Sequence, residues 1–192
     1  MLFRSLSRDA KRRNHSALGS SANLLVTIEP MQINPASAPL KLISYPDLRY
    51  GYCDIKTVNL LPAVLASTEA QMQGCDEAVF LREGIVTECS KSNISIIKDG
   101  KLKTHPLSIR ILPGIVRKHL LLACKKIGVQ VFEAEFTKED LLDSDEVLIS
   151  STTKLVKRAE SIDGIKIGMK NASLAEKICQ NLYSEYENLV CR

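Results

Sequence analysis

The spacing of apolar and polar positions changes period several times along the 192-residue chain. Ser16 to Asn23 is a small-residue turn region, and Leu24 to Glu29 follows it as a β-rich run. Lys41 to Tyr45 predicts a second short strand. Between the two runs, Pro30, Pro35 and Pro39 mark a linker, because neither a central strand nor a helix accepts prolines at that density. From Asn59 to Gly74 the period lengthens. Leu60, Leu61, Val64, Leu65 and Ala70 recur at helical spacing, with Pro62 in the first turn and Gly74 as a stop.

Farther on, short strands and turn dipeptides dominate. Glu77 to Arg82 and Ile85 to Glu88 read as strands joined by a Glu83-Gly84 hairpin turn. Asn93 to Lys98 is another strand, ending at an Asp99-Gly100 hairpin. A helix is expected from about Gly114 to Gly128, then a strand from Val129 to Glu135. Thr137 to Asp140 resembles a capping box opening a short helix. Glu146 to Ser150 is a strand that ends in the hydroxyl cluster Ser150-Ser-Thr-Thr153, Ile162 to Ile167 a hairpin, and Ser173 to Tyr186 a closing amphipathic helix. Hairpins mixed with helices argue an α+β fold rather than a parallel array.

Composition narrows the class. With 45% hydrophobic and 25% charged residues the chain is an ordinary globular protein. Its net charge of +4 is local: Arg4, Arg8, Lys11, Arg12 and Arg13 stand in the first thirteen residues against one acid, Asp9. The rest is near balance, which gives no support to nucleic-acid binding. That basic start is read as ordinary sequence rather than a mitochondrial presequence. No apolar run approaches the roughly 20 residues of a membrane span. The six cysteines lie far apart without metal-ligand spacing, so no metal site is expected, and reduced thiols fit a cytoplasmic protein.

Lys56 stands just before the first long helix, and Glu88 closes a strand. Gly114 to Arg117 is a helix start, and Ser150 to Thr153 is a strand end rich in hydroxyls. Unpaired N–H groups at a helix start and hydroxyl donors beside them are what a phosphate needs. A lysine and a single carboxylate near such a site suggest pyridoxal phosphate, which needs an amine for its aldehyde, an acid for its ring nitrogen and a cradle for its phosphate.

The wording and order of these segments resemble the D-amino-acid aminotransferases, class IV enzymes of fold type IV. The resemblance runs from about Ser7 to the C-terminus and is strongest from Asp47 to Thr153. The family's C-D-I-K-S-L-N reads here Cys53-Asp-Ile-Lys-Thr-Val-Asn59, and its T-E-G-S-S-S-N reads Thr87-Glu-Cys-Ser-Lys-Ser-Asn93. Thr104-His-Pro106, Ile111-Leu-Pro-Gly-Ile-Val-Arg117 and Ser151-Thr-Thr153 match three further motifs, and Arg12-Arg-Asn-His15 is similar to a P-R-x-H loop. The resemblance implies a homodimer that binds pyridoxal 5'-phosphate and exchanges an amine between a D-amino acid, D-alanine above all, and a 2-oxo acid.

Residue by residue, it implies that Lys56 holds the cofactor aldehyde and moves the substrate proton, and that Glu88 pairs with the ring nitrogen. Leu112 packs on the ring, and Ile115, Val116, Ser151 and Thr152 face the phosphate. Arg13 and His15 clamp the substrate carboxylate in the partner subunit's site, and Arg49 lies near the cofactor's phenolate oxygen.

Three positions depart from the pattern: Cys89 replaces Gly, Lys91 replaces Ser, and Val116 replaces Thr. The family also places most of a small N-terminal domain ahead of the arginine–histidine loop. The expected organisation is therefore a truncated remnant of that domain at 1–34, a linker with the first strand at 35–46, and a cofactor domain at 47–192. Other readings are a branched-chain aminotransferase or aminodeoxychorismate lyase of the same fold, and a remnant that folds without turnover.

Overall fold

In the computed structural model, residues 2–10, 15, 16, 18–31, 33 and 38–190 are described. The chain divides into two compact units, Met1–Ile33 and Asn34–Arg192.

The first unit is an antiparallel hairpin of β1 (Leu2–Arg8) and β2 (Ala22–Ile28), in register from Leu2 opposite Ile28 to Arg8 opposite Ala22. The Asp9 N–H donates to Ser21 O at 3.0 Å and closes the ladder. The sequence pattern anticipated β2. It missed β1, where Arg4, Ser5, Ser7 and Arg8 dilute the apolar signal and pairing with β2 supplies the order instead.

The second unit runs β3 (Leu40–Pro46), α1 (Leu61–Met72), β4 (Glu77–Arg82), β5 (Ile85–Cys89), β6 (Asn93–Lys98) and β7 (Lys101–Thr104). It continues with α2 (Ile115–Lys126), β8 (Val131–Glu133), α3 (Lys138–Asp143), β9 (Glu146–Ser151), β10 (Leu155–Ile162), β11 (Ile165–Lys166) and α4 (Ala172–Val190). Its nine strands form one sheet in the order β5-β4-β3-β10-β9-β6-β7-β8, with β11 paired to β10. The β3–β4, β3–β10 and β7–β8 pairs are parallel and the others antiparallel, a mixed sheet of the α+β kind. Helices α1 and α2 carry the chain across between parallel neighbours, as such pairs require.

Glu83-Gly84, Asp99-Gly100 and Asp163-Gly164 all have positive φ at both residues, and each turns an antiparallel pair. Alternation along the strands then sorts the core. Leu42 and Val79 face a cluster with Val86, Ile94, Ile96, Phe136, Val147 and Ile149. Ile43, Ala78 and Phe80 face the other way, against α1. Helix α1 buries Ala63, Ala66 and Ala70 there, and Leu61, Val64 and Leu65 stay exposed. Of the positions that marked the helix in the sequence, Ala70 lies on the face it buries, whereas Leu60, Leu61, Val64 and Leu65 do not.

Thr137 caps α3 with the expected reciprocal box to Asp140. The strand expected at Val129–Glu135 is shorter, covering Val131–Glu133. Most of β10 had no apolar signature, because Lys157 and Arg158 fall inside it. Arg158 is accommodated by a two-pronged pair with the fully buried Glu146, both contacts at 2.9 Å.

Candidate active site

The chain leaves β3 through Asp47, a buried carboxylate fixed by its N–H bond to Leu81 O at 2.8 Å. Arg49 turns back onto it, with Nε donating to Oδ1 and Nη2 to Oδ2, each at 2.9 Å. Arg49 Nη1 donates to Glu88 Oε1, Nη2 reaches Arg110 O at 3.0 Å, and the guanidinium lies 4.4 Å from the centroid of the Phe80 ring. Arg82 Nη2 secures the same loop through Arg49 O at 2.9 Å.

This cation serves its two carboxylates unequally. Burial works against ionisation of Asp47, but the two-pronged bond from Arg49 holds it below its ordinary value. Burial pushes Glu88 up to about 7, against the pull of Arg49 and the Leu112 N–H. Burial alone would lower Arg49; Asp47 and Glu88 together raise it.

Glu88, on β5, also accepts from Asn93 Nδ2 and from the Leu112 N–H, both at 3.0 Å on Oε2. A carboxylate has about four acceptor positions, and these bonds use three. The one left on Oε1 suits an N–H donor such as a protonated pyridine nitrogen. Asn93 reaches across to Leu112 O at 2.9 Å as well, so one amide ties β6, Glu88 and the segment leading into α2.

Helix α2 begins at Ile115 with Gly114 as its cap and no side-chain capping bond, so the first-turn N–H groups of Ile115, Val116 and Arg117 point out of the helix end. Asn93 pairs in register with Ser150, which brings the end of β9 to the same place. Among the described residues, the buried Ser150 Oγ and Ser92 Oγ have no hydrogen-bond partner. Buried hydroxyls seldom stay unpaired; with a helix N-terminus beside it, Ser150 Oγ is a donor that fits a phosphate.

Lys56 lies on the exposed loop between β3 and α1. That loop is anchored three residues earlier, where the Cys53 N–H donates to Ile109 O at 2.8 Å. Burial raises the Cys53 thiol, and the charges of Arg49, Asp47 and Glu88 all bear on it, so the lysine loop starts beside the acid site.

Residues 5–162 match the model of the family described as Amino-transferase class IV. The chain belongs to the class IV aminotransferases.

It is 45% identical over 145 residues to a D-alanine aminotransferase of Listeria monocytogenes serotype 4b, a match that covers 75% of this chain and 50% of that one. It thus spans about half the length of the curated relatives it matches. A putative 4-amino-4-deoxychorismate lyase of Legionella pneumophila superposes with a TM-score of 0.81 at 28% identity, covering 95% of this chain and 69% of the lyase. A branched-chain amino acid aminotransferase of Thermobaculum terrenum in its PLP-form gives 0.84 at 22% identity, with 95% and 64% covered, a likeness of fold. Class IV aminotransferases depend on pyridoxal phosphate, and the open position on Glu88, the bare α2 N-terminus and the unpaired Ser150 hydroxyl fit that group.

In this class IV chain Leu112 is half-buried, and its backbone binds both Glu88 and Asn93. Ile115 is exposed and Val116 buried, and Ser151 is half-buried while Thr152 is exposed. Arg49 spends its fork on Asp47 and Glu88, a role its sequence position did not suggest. His15 is exposed in the first unit, and Arg13 lies outside the described residues. Asp47 and Asn93 escaped the sequence reading. Asn93 closes the Thr87–Asn93 motif, which was the available signal, whereas nothing local marks Asp47. Among the described residues no group of three or more His, Cys, Asp or Glu is arranged to hold a metal, and no helix is long and apolar enough to cross a membrane.

Proposed function

We propose that this protein is a D-amino-acid aminotransferase that passes the amine of D-alanine, or another D-amino acid, to a 2-oxo acid such as 2-oxoglutarate, with pyridoxal phosphate as cofactor. The observation that carries this reading is Glu88: a buried carboxylate with one acceptor position open, beside a bare helix N-terminus and an unpaired buried hydroxyl. The D-alanine aminotransferase relatives support the choice of substrate.

When bound, pyridoxal phosphate supplies an aldehyde that takes up the amine and a cationic ring that draws electrons from the substrate Cα. Glu88 holds the proton on the ring nitrogen, and Arg49 and Asn93 keep Glu88 in place for it. The N–H groups of Ile115 and Val116 and the hydroxyls of Ser151 and Thr152 bind the phosphate. Leu112 would be the apolar residue against the ring. Lys56 Nζ would hold the aldehyde and, as an uncharged free amine, would move the proton at the substrate Cα. Arg13 and His15 would bind the substrate α-carboxylate in the partner subunit's site.

The working form is a cytoplasmic homodimer. Supporting the dimer is the exposed apolar surface of α1 and the loop before it, with Tyr50, Tyr52, Ile55, Val58, Leu61, Val64 and Leu65.

The test is chiral chromatography of the products after incubating the cofactor-loaded protein with D-alanine and 2-oxoglutarate. D-Glutamate and pyruvate are expected, with nothing formed from L-alanine. Amine transfer from L-leucine or L-valine in place of D-alanine would shift the reading to a branched-chain enzyme, and cleavage of aminodeoxychorismate would shift it to a lyase. A loaded protein inactive on all of these sinks the proposal.

A further inference from the structure

Resting on that reading of the anion cradle, we propose that Glu77 is a positioning residue that locks together the two loops from which the cradle is built. Glu77 opens β4 and is 0% exposed. Each of its oxygens is given to a different loop: Oε1 accepts the Lys91 N–H at 3.0 Å, and Oε2 accepts Lys154 Nζ at 2.9 Å.

Lys91 belongs to the turn between β5 and β6, the short link from Glu88 to Asn93. Further bonds hold that turn, among them Ser90 N–H to Ala78 O at 2.9 Å, Cys89 N–H to Ser92 O at 2.8 Å and Ser67 Oγ to Ser90 Oγ at 2.9 Å. Lys154 ends the turn between β9 and β10, which follows Ser151 and carries Thr152, and its N–H donates to Ser151 O at 3.3 Å. The next residue, Leu155, has φ +54°, a left-handed conformation disfavoured for leucine. The turn keeps that shape because both sides of it are fastened: Leu155 is buried, and Lys154 is tied to Glu77.

Among these contacts, the Glu77 carboxylate is the group that joins the two loops. Asn93 and Ser150 meet by strand pairing; Ser151, one residue on, pairs instead with Leu155 of β10, and Thr152 lies in the turn, so both hydroxyls follow the β9–β10 connection that Lys154 ties down. Glu77 therefore acts on the phosphate through these hydroxyls without touching it. Charge is required as well as shape. A glutamine offers one acceptor and one donor, and two donors face this site, so one of them would meet an N–H. Removing Lys154 instead leaves a buried carboxylate oxygen uncompensated.

The experiment compares binding of pyridoxal phosphate and of pyridoxal, which lacks the phosphate, by absorbance titration of the 192-residue chain. Glu77→Gln and Lys154→Met are each expected to weaken pyridoxal phosphate binding by about ten- to a hundredfold, the size of one lost charge-assisted contact. Pyridoxal should bind both variants as it binds the parent. Equal weakening of both ligands, or undiminished pyridoxal phosphate binding in a folded variant, overturns the assignment. Should Glu77→Gln fail to fold by circular dichroism, Lys154→Met, changed at a partly exposed side chain, decides the matter. A parent chain that binds neither compound overturns the proposed function itself, a result distinct from a parent that binds and variants that bind equally well.

Discussion

Asn93 holds Glu88 only because residue 114 is glycine: a Cβ on Gly114 would stand 2.0 Å from Asn93 Oδ1. No real Cβ contact is that short, so any side chain at 114 displaces the Asn93 amide, and with it the bonds to Glu88 and Leu112 O. Gly114 has an ordinary extended backbone, φ −63° and ψ 134°, so the demand comes from space and not from conformation.

Gly114→Ala is expected to lower stability by about 1–3 kcal/mol, the usual cost of leaving buried polar groups unpaired. Urea denaturation checks this, and an unchanged midpoint would show that Asn93 has room to move. Asn93→Ala combined with Gly114→Ala should be much less than additive, because both changes remove the same contacts.

The two carboxylates that share Arg49 give stability a distinctive pH dependence. Asp47 is depressed in the folded state, so its contribution is present above its unfolded pKa and is lost as pH falls through the folded one. Glu88 is shifted the opposite way, from 4.5 to about 7. Between those values the native state holds a proton that the unfolded chain has released, so unfolding stability falls as pH rises through that window. At about 1.4 kcal/mol per unit the loss is on the order of 3 kcal/mol. Denaturation of the cofactor-free protein at pH 5 and pH 7 should find the pH 5 sample more stable. Glu88→Gln should remove the difference while leaving the acid limb from Asp47. A Gln variant with the same slope would assign it to another group.

Lys56 is exposed, and among the described residues its side chain makes no hydrogen bond or ion pair. Lys56→Met should therefore change stability by no more than about 0.5 kcal/mol, yet end covalent capture of pyridoxal phosphate. Borohydride treatment followed by peptide mass spectrometry should find the reduced cofactor on the peptide containing Lys56 in the parent chain and on no peptide in the variant. Labelling at another lysine would remove Lys56 from the proposed mechanism.

Local features were the legible part of this protein. The Glu83-Gly84, Asp99-Gly100 and Asp163-Gly164 dipeptides announce their hairpins, and Thr137 with Asp140 announces the start of α3, because each is decided within a few residues. The motifs around Lys56, Glu88, Gly114 and Ser151 could be read as a cofactor site because each carries its own chemistry. The Asp47–Arg49–Glu88 cluster could not, since Glu88 comes from a strand that β4 brings back to Asp47. Nor could β10, whose Lys157 and Arg158 suppress the apolar pattern until Glu146 is found opposite. The inward face of α1 was misleading for a related reason. Three alanines carry a weaker hydrophobic signal than the leucines beside them, but a closely packed helix needs their small size.

Strand β6 runs from Asn93, at the candidate site, to Lys98 and the Asp99-Gly100 turn. Six residues of extended chain cover roughly 17–20 Å, so that turn sits a full strand length from Glu88, at the opposite end of the sheet. Asp99 and Gly100 are exposed. A fluorophore or affinity handle inserted between them would leave the cofactor cradle untouched, and would give a way to follow and capture the protein during every titration described above.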